Sequence, residues 1–328
     1  MKQWLHPGFW IVFGLVIVLG LWPIFLQDAA SREVGFTILL AITMAVSLNI
    51  IMGYTGYVSF GHVVFYGLGG YVGMYLIAAL DAPLPLAVLG GGVAAALLAF
   101  LLGRAILTLR GAYFALVTIG VNEAVRTFVA NFKPFGGPTG IELQFSVYKP
   151  YGGPAQALWL TYYAVVGISI FAVAFSYFIK SSKFGLGLMS IREDEDAAEV
   201  LGIVTPNVKT MAFVFSAFLP GMLGVLFFFK NGNVEPRDAF RLGFSIESLV
   251  MIMLGGQGTL LGPVIGALGY QRLRGALLTS NAMIGTFALK DFQLVIAGLL
   301  MLLIILFIPA GLVGWLRQRI PILRRFLT

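Results

Sequence analysis

The feature that most constrains this chain is the near absence of charge over a long stretch. Between Val34 and Gly103 the sequence carries one formally charged side chain, Asp81. Apolar runs recur along the rest of the chain, and an α-helix needs about 20 apolar residues to cross the hydrocarbon core of a bilayer. Only 11% of the residues are charged, against about 25% in soluble domains. The sequence therefore predicts an all-α fold, a polytopic bundle of transmembrane helices.

Composition also excludes several functional classes. The chain contains no cysteine, which rules out disulfides, thiolate-held clusters and a thiol nucleophile. The two histidines, His6 and His62, have no acidic pair beside them, so we predict neither a metal site nor a cofactor. The net charge of +7 is the excess of Lys and Arg expected beside membrane spans and does not indicate binding to nucleic acid.

Hydropathy divides the predicted single transmembrane domain, residues 1–328, into about ten helices, some of them short or broken at glycines. The bias of Lys and Arg places both termini and segment 180–209 in the cytoplasm, and segment 131–157 outside. The first span lacks a convincing cleavage site, so we interpret it as a retained helix. The predicted helices are residues 9–27, 35–52, 54–79, 85–103, 112–130, 158–179, 210–229, 243–255, 262–278 and 292–312.

Two segments resemble each other within the chain. SLNIIMGYTG, at Ser47–Gly56, is similar to SLVMIMLGGQG, at Ser248–Gly258, with one residue inserted. Transporters are commonly built from internal repeats, with the substrate path at the repeat interface. The alternative is chance similarity between two apolar sequences.

A glycine-rich segment, Gly53–Gly73, follows the first of these motifs. A helix starting near Tyr54 would direct free N–H groups toward the membrane interior, where they suit an anionic substrate group. The alternative is close packing of small residues against a neighbouring helix. The candidates for lining a pathway here are Thr55, Ser59, Gly61 and His62, and the candidates for packing alone are Gly69 and Gly73.

The second motif leads into a similar glycine pattern. Gly258, Gly262 and Gly266 recur every four residues, which predicts a flat helix face for packing. Gln257 and Thr259 lie at the helix start, where they would cap the helix or line a path.

Polar residues within predicted spans form another group of candidates. Asn49 and Glu123 are assigned to the pathway, because a carboxylate or amide inside a membrane is a functional hypothesis by default. Glu123 also lies three residues before Arg126, so a purely structural ion pair on one helix face explains it as well.

A polar segment, Lys180–Lys209, interrupts the apolar pattern between two spans. It predicts a short amphipathic helix with Glu195, Ala198 and Glu199 near one face, ended by Gly202. Such a helix is suited to docking on a soluble partner, and the alternative is a solvated linker. The chain has no G-x-x-x-x-G-K-[ST] motif, so ATP-driven transport would need a separate ATPase.

These segments together resemble a known family. The motifs are SLNIIMGYTGYVSFGHVVFYGLGGY, RGAYFALVTIG, GGPTGI, SKFGLGLMSIREDEDAAEVLGI and MLGGQGTLLGPVIGA, in order from about residue 40 to residue 275. They are similar to the LivM-type permeases of ABC importers for branched-chain amino acids, a family that also includes urea and short-chain amide permeases. Tyr57 and Val58 depart from the family pattern, which usually has Gln and a small or apolar residue there.

The resemblance implies a set of partners. These are a second, LivH-like permease subunit, two cytoplasmic ATPases, and a periplasmic or lipid-anchored binding protein, around a pore in the bacterial or archaeal inner membrane. It also implies that the polar helix couples to the ATPases. The residues that carry this coupling prediction are Glu195, Ala197, Ala198, Glu199 and Gly202.

Two other functional classes compete with this interpretation. An ion-coupled secondary transporter would normally carry more intramembrane acids or histidines. A membrane enzyme would need a cluster of catalytic groups, and the dense run REDED has no nucleophile or metal-ligand companion. We therefore predict a non-enzymatic permease subunit for branched-chain amino acids, with urea or a short-chain amide as the alternative substrate.

Overall fold

The computed structural model describes residues 7–26, 28–279, 283–284, 287–288, 292–308 and 310–319. Within these residues the chain is almost entirely helical, with two pairs of two-residue antiparallel strands. The α-helices are α1 (Pro7–Leu26), α2 (Ala29–Thr55), α3 (Val63–Leu80), α4 (Leu84–Ile106), α5 (Ala112–Asn131), α6 (Pro154–Ser181), α7 (Lys183–Glu193), α8 (Glu195–Val200), α9 (Thr205–Asn231), α10 (Pro236–Ala239), α11 (Leu242–Gly255), α12 (Leu261–Thr279), α13 (Gln293–Phe307) and α14 (Gly311–Arg319). The strands are β1 (Ile141–Glu142), β2 (Asn233–Val234), β3 (Met283–Ile284) and β4 (Phe287–Ala288).

The predicted all-α membrane fold is confirmed at this level. Among the residues that the structure describes, six helices are long and apolar enough to cross a membrane, namely α1, α2, α3, α4, α6 and α9. Each of the ten predicted spans overlaps at least one α-helix. Because the other helices do not meet the same criteria of length and hydropathy, the number of ten crossings stays a prediction.

Helices α2 and α9 form the centre of the bundle. In the most apolar part of α2, 89% of the residues are buried within the protein, compared with 22% in α1. Helix α9 packs against α2, α3, α4 and α6. A Cβ added to Gly69 of α3 would overlap the backbone of Gly221 on α9, so glycine at this position lets the two helices approach backbone to backbone.

The predicted helix start near Tyr54 is wrong. Helix α2 continues to Thr55 and ends at Gly56, whose φ of 80° lies in the left-handed region, and α3 begins only at Val63. The two predicted spans, 35–52 and 54–79, are therefore separated by an irregular segment at residues 56–62 and not at residue 53. The amide of Phe60, within this segment, donates to Thr118 Oγ1 at 3.1 Å, and the first amide of α3, that of Val63, donates to Ser245 Oγ at 2.8 Å.

The last predicted span, residues 292–312, is also divided. Helix α13 ends at Phe307 and α14 begins at Gly311, whose φ is 68°. The apolar composition of α13 continues into the first residues of α14, Gly311–Val313, which is why hydropathy alone does not locate the break between them.

The helix order places two groups of connections at opposite ends of the bundle. One end carries α7 and α8, the segment 56–62, and the α4–α5 and α11–α12 connections. The other end carries the long α5–α6 connection, in which β1 pairs with β2, together with α10. The first will be called the hairpin end, after the helical hairpin α7–α8, and the second the opposite end.

Candidate functional site

The helical hairpin α7–α8 is defined by two N-caps and a glycine C-cap. Ser182 Oγ accepts from the amide of Gly185 at 3.1 Å, and Asp194 Oδ1 accepts from the amide of Ala197 at 2.9 Å. Gly202 has a φ of 87°, and the amides of Gly202 and Ile203 donate to the carbonyls of Glu199 and Ala198. These are the two hydrogen bonds of a Schellman motif, so α8 stops at Gly202 as the sequence predicts.

One buried lysine holds this hairpin on the bundle. The side chain of Lys209, on α9, is 3% exposed. Its Nζ donates to Glu195 Oε1 at 2.5 Å, to Tyr57 Oη at 2.9 Å and to the carbonyl of Leu107 at 2.7 Å. Tyr57 Oη in turn donates to Glu195 Oε2 at 2.7 Å, and Arg110 Nε lies 3.3 Å from the same oxygen. These five residues will be called the Lys209 junction.

The Lys209 junction joins parts of the chain that are far apart in sequence. Tyr57 lies in segment 56–62, Leu107 and Arg110 in the α4–α5 connection, Glu195 on α8 and Lys209 at the start of α9. A buried lysine whose three donors are all accepted is fully satisfied, which a buried charge requires. A displacement of α8 therefore pulls directly on the segment between α2 and α3 and on the first turns of α9.

Charge reinforces the junction. Burial of Glu195 acts to raise the pKa of its carboxyl group, but the hydrogen bonds from Lys209 and Tyr57 and the charge of Arg110 outweigh it, and the net pKa is lowered. Asp196 also has a lowered pKa because Arg110 hydrogen-bonds it. Both carboxylates therefore stay ionised at neutral pH, which keeps the ion pairs of the junction intact.

The hairpin also contacts the place where the two similar motifs meet. Arg192 Nη1, on α7, donates to the carbonyl of Gly53 at 2.6 Å. Asn49 accepts from the amide of Gly258 at 2.9 Å and donates to the carbonyl of Thr259 at 3.1 Å. The C-terminal end of α2 and the α11–α12 turn are therefore joined directly by Asn49, and Arg192 of the hairpin binds the end of α2 beside this contact.

Several predicted pathway residues have their polar groups bound inside the protein. Asn49 is fully buried, and its side-chain amide makes the hydrogen bonds with Gly258 and Thr259 given above. Thr55 Oγ1 donates to the carbonyl of Ile51 in its own helix. Thr259 Oγ1 accepts from the amide of Gly262 at 2.9 Å and so caps α12, while Gln257 beside it is half-buried.

Two others keep a polar atom without a partner. His62 is fully buried, and its Nε2 lies 3.1 Å from the carbonyl of Ser216. His62 Nδ1 and Ser59 Oγ are both buried and have no hydrogen-bond partner among the described residues. Gly61 lies against α5, where an added Cβ would overlap the carbonyl oxygen of Thr118. Their role in a pathway stays a prediction.

Glu123 lies on α5 with 55% of its side chain exposed, and it pairs with Arg126 at 2.7 Å. The predicted contact between these two residues is therefore present. Glu123 and its neighbour Ala124 are both exposed, so Glu123 is placed on an outer face of this subunit.

The predicted packing glycines lie at helix crossings, with one exception. A Cβ at Gly73 would overlap the side chain of Val225 on α9, and a Cβ at Gly266 would overlap the carbonyl of Met251 on α11. Gly262 likewise faces the end of α11. Gly258 is the exception. It has a φ of 75° and lies in the turn before α12, which begins only at Leu261. Its predicted place on the helix face is therefore wrong.

Sequence reasoning missed two features of this end of the protein. The first is the Lys209 junction, which was missed because Lys209 was interpreted only as the end of the polar segment. The second is an exposed apolar tip formed by Val200, Leu201 and Val204, which are 89%, 79% and 59% exposed. The signal for the tip was present in the run VLGIV next to the acidic cluster, where apolar residues stand in an otherwise polar segment.

Comparison with known proteins identifies the family of this chain. A family model described as branched-chain amino acid transport system / permease component matches residues 33–305. The chain belongs to this family. No solved structure matches the chain. Three relatives illustrate the range of similarity. They are the high-affinity branched-chain amino acid transport system permease protein LivM of Salmonella typhimurium, 27% identical with 95% of this chain and 76% of the relative covered, LivH of the same description from Escherichia coli, 27% identical with 83% and 90% covered, and a probable branched-chain amino acid transport permease protein LivM of Methanocaldococcus jannaschii, 26% identical with 82% and 89% covered.

The family resemblance inferred from the motifs is thereby confirmed. The matched region includes α2 through most of α13, and so contains both similar motifs, the hairpin and the Lys209 junction. Relatives named LivM and LivH both match over most of their length, which indicates that the two types of permease share this architecture.

Proposed function

We propose that this chain is one of two permease subunits in an ATP-driven importer of branched-chain amino acids. The observation that carries the proposal is the form of the hairpin α7–α8. Its inner side is fixed to the bundle through Glu195 and Lys209, while Val200 and Leu201 project into solvent. A helix that is rigidly tied to transmembrane segments and presents an apolar tip is suited to receive force from a soluble partner.

The partners follow from this arrangement and from the relatives. The second subunit is a LivH-like permease, two ATPases dock on the hairpin end, and a binding protein delivers substrate to the opposite end. Both termini and the hairpin are then cytoplasmic, in a bacterial or archaeal inner membrane. The residues of α8 that carry coupling are Glu195, Ala197, Ala198, Glu199 and Gly202, with distinct tasks: Glu195 attaches the helix to the bundle, and Gly202 shapes the apolar tip.

Coupling through the Lys209 junction is a mechanical step. When the ATPases close, α8 moves with them, and Glu195 transmits the displacement to Tyr57 in segment 56–62 and to Lys209 on α9. Both of these segments adjoin the central helices, α2, α3 and α9. The pathway candidates in 55–62 and 257–259 lie next to these moving parts, which supports their place near a gate.

Reconstitution tests the proposed function directly. This chain would be placed in proteoliposomes with its partner permease, ATPases and binding protein, and uptake of radiolabelled leucine and urea would be measured. We expect ATP-dependent accumulation of leucine. Accumulation of urea instead would assign the alternative substrate, and uptake driven by an ion gradient without the ATPases would overturn the proposal.

A substitution in the apolar tip tests docking. We expect Leu201→Asp to weaken binding of the ATPases by about tenfold or more, because a charge would be buried in an apolar contact. The side chain is 79% exposed in this chain, so insertion and thermal stability should not change. The measurement is co-purification of the ATPase subunits at graded salt. Leu201→Met, which keeps the apolar surface, is the matched control, and equal ATPase recovery from both variants would remove the tip from the interface.

A further inference from the structure

A large cavity lies at the opposite end of the bundle, remote from the hairpin. Its volume is about 950 Å³, at the upper end of the range for small-molecule sites. The walls come from the first turns of α2, the end of α9, the α9–α11 connection with α10, the start of α11 and the end of α12. With the orientation proposed above, it faces the side from which substrate is delivered.

One wall of the cavity is basic and is fixed by a buried acid. Glu247, on α11, is 1% exposed and lies between two guanidinium groups of the cavity wall. Arg274 Nη1 is 3.3 Å from Glu247 Oε2, and Arg241 Nη2 is 4.0 Å from Glu247 Oε1. Two cations thus share one carboxylate, which leaves this wall with an excess positive charge. Of the five N–H donors of Arg274, one on Nη1 is accepted by Glu247, and the Nε of Arg274 has no partner among the described residues.

A second part of the same wall is acidic. Glu235 directly precedes α10, and Asp238 lies within it. Both side chains are exposed and line the cavity. Within the described parts of the chain, no Lys or Arg side chain lies within ion-pair distance of either carboxylate. The cavity therefore offers unpaired negative charge and excess positive charge together.

The remaining surface of the cavity is aromatic. Tyr66 lies with its ring centroid 5.9 Å from that of Phe227 and 5.2 Å from that of Phe244, and all three residues line the cavity. These rings come from α3, α9 and α11, so the apolar surface is built where three helices meet. It is suited to an aliphatic side chain, which gains free energy by leaving water.

We propose that this cavity binds the free amino acid as a zwitterion before it crosses the membrane. Arg241 and Arg274 receive the carboxylate, Asp238 and Glu235 receive the ammonium group, and the aromatic surface receives the branched side chain. The inference rests on the proposed function and adds to it a site within the permease subunit itself. Opposite charges on the walls favour a zwitterion over urea, which has neither charge.

The natural absence of cysteine permits a direct test of occupancy. Ala276→Cys places a thiol on the cavity wall, and Ser146→Cys places one on an exposed part of the α5–α6 connection outside the cavity. The complete complex, in lipid nanodiscs that leave both faces accessible, would be labelled with a maleimide. We expect L-leucine to slow labelling of Ala276→Cys and not of Ser146→Cys.

Analogues that lack one charge test the recognition of the zwitterion. Isocaproate has no ammonium group and isoamylamine has no carboxylate. Both should protect Ala276→Cys only at concentrations about tenfold or more above those of leucine, because each forgoes one charge-assisted interaction. Urea should not protect. Protection by urea, or equal protection by all three isobutyl compounds, would overturn the assignment.

Substitutions in the acidic wall provide the matched variants. Asp238→Asn should raise the half-protecting concentration of leucine about tenfold and bring it close to that of isocaproate. Arg237→Gln, one residue away, exposed and outside the cavity lining, should leave it unchanged. Arg274→Gln should weaken protection by leucine, but it also removes a partner of Glu247, so Asp238 gives the cleaner result.

The failure of this inference is distinguishable from failure of the proposed function. If leucine gives no protection up to about 10 mM, well above common KM values, while ATP-driven leucine uptake persists in parallel proteoliposomes, the cavity is not the site. If both protection and leucine uptake are absent, the assignment of the substrate fails as well.

Discussion

Replacement of Lys209 by methionine should abolish ATP-driven uptake while leaving the chain in the membrane. The side chain is 3% exposed and pairs with Glu195 at 2.5 Å, and removing one partner of a buried pair costs about 3–5 kcal/mol. Methionine retains most of the apolar volume, so the effect comes from lost charge and hydrogen bonds. Without Lys209, α8 can still bind the ATPases, and Glu195 still accepts from Tyr57 in segment 56–62, but the movement of α8 no longer reaches α9 through this junction.

The signature of this defect is a separation of two activities. We expect ATP hydrolysis by the assembled complex to remain measurable, while leucine uptake per ATP falls strongly, because the link from α8 to α9 is lost. Lys183→Met removes an exposed lysine at the start of α7 in the same hairpin, and it should leave both activities unchanged. Loss of uptake with Lys183→Met would point to general basic charge at the hairpin end and not to the Lys209 junction.

A double variant distinguishes the charge pair from simple packing. Glu195→Gln combined with Lys209→Met removes both charges, and replacing both partners of a buried pair is less costly than removing one. We expect the double variant to recover thermal stability relative to Lys209→Met. If the double variant is less stable than both single variants, the pair does not act as a unit.

The class of fold could be predicted from the sequence because apolar length is a local property. The position of α8 and its end at Gly202 were also predictable, since an N-cap and a glycine in the left-handed region act within a few residues. The break at 56–62 was not, because glycine within a membrane helix is compatible with either packing or interruption. The structure resolves the ambiguity through a long-range contact, in which Ser245 on α11 caps the start of α3.

The contacts of the candidate site residues could be predicted even less well than the helix boundaries, because they join distant parts of the sequence. Asn49, whose place in a pathway stays a prediction, joins α2 to the α11–α12 turn, a contact between residues about 200 positions apart. The two junction partners Lys209 and Tyr57 are separated by 152 positions, and no pattern in one sequence pairs them. Tyr57 was noticed only as a departure from the family pattern. A polar residue in an apolar span indicates that it has a partner, but not which partner.

The charged cavity could not be predicted from the sequence, for the same reason. In the sequence, Glu247 lies within the predicted span 243–255, Arg241 precedes that span, and Arg274 lies near the end of the predicted span 262–278. Only the return of α12 to the start of α11 brings all three residues together. Charge that looks dispersed along the sequence is therefore concentrated around one cavity.

Substitution of Gly69 by alanine should destabilise the bundle, and no single change in the facing helix should restore it. A Cβ at Gly69 would overlap Cα, C and O of Gly221 on α9. Because these are backbone atoms, the helices must separate, and overpacking of this kind typically costs about 1–3 kcal/mol. We expect a lower midpoint of thermal unfolding for the purified chain and reduced uptake. Gly167→Ala, at an exposed glycine of α6 with nothing within 4 Å of the added Cβ, should be neutral or stabilising by up to about 1 kcal/mol.

Gly73, one turn further along α3, provides the internal contrast. There the added Cβ would meet only the side chain of Val225 on α9, so Val225→Ala removes the overlapping methyl groups. We expect Val225→Ala to recover a large part of the stability lost in Gly73→Ala and none of that lost in Gly69→Ala. Rescue of both glycine variants, measured by thermal unfolding, would mean that α3 and α9 can shift as rigid bodies at this crossing. Rescue of Gly73→Ala alone would establish that the backbone contact at Gly69 sets the distance between the two helices, and thus the position of α9 on which Lys209 depends.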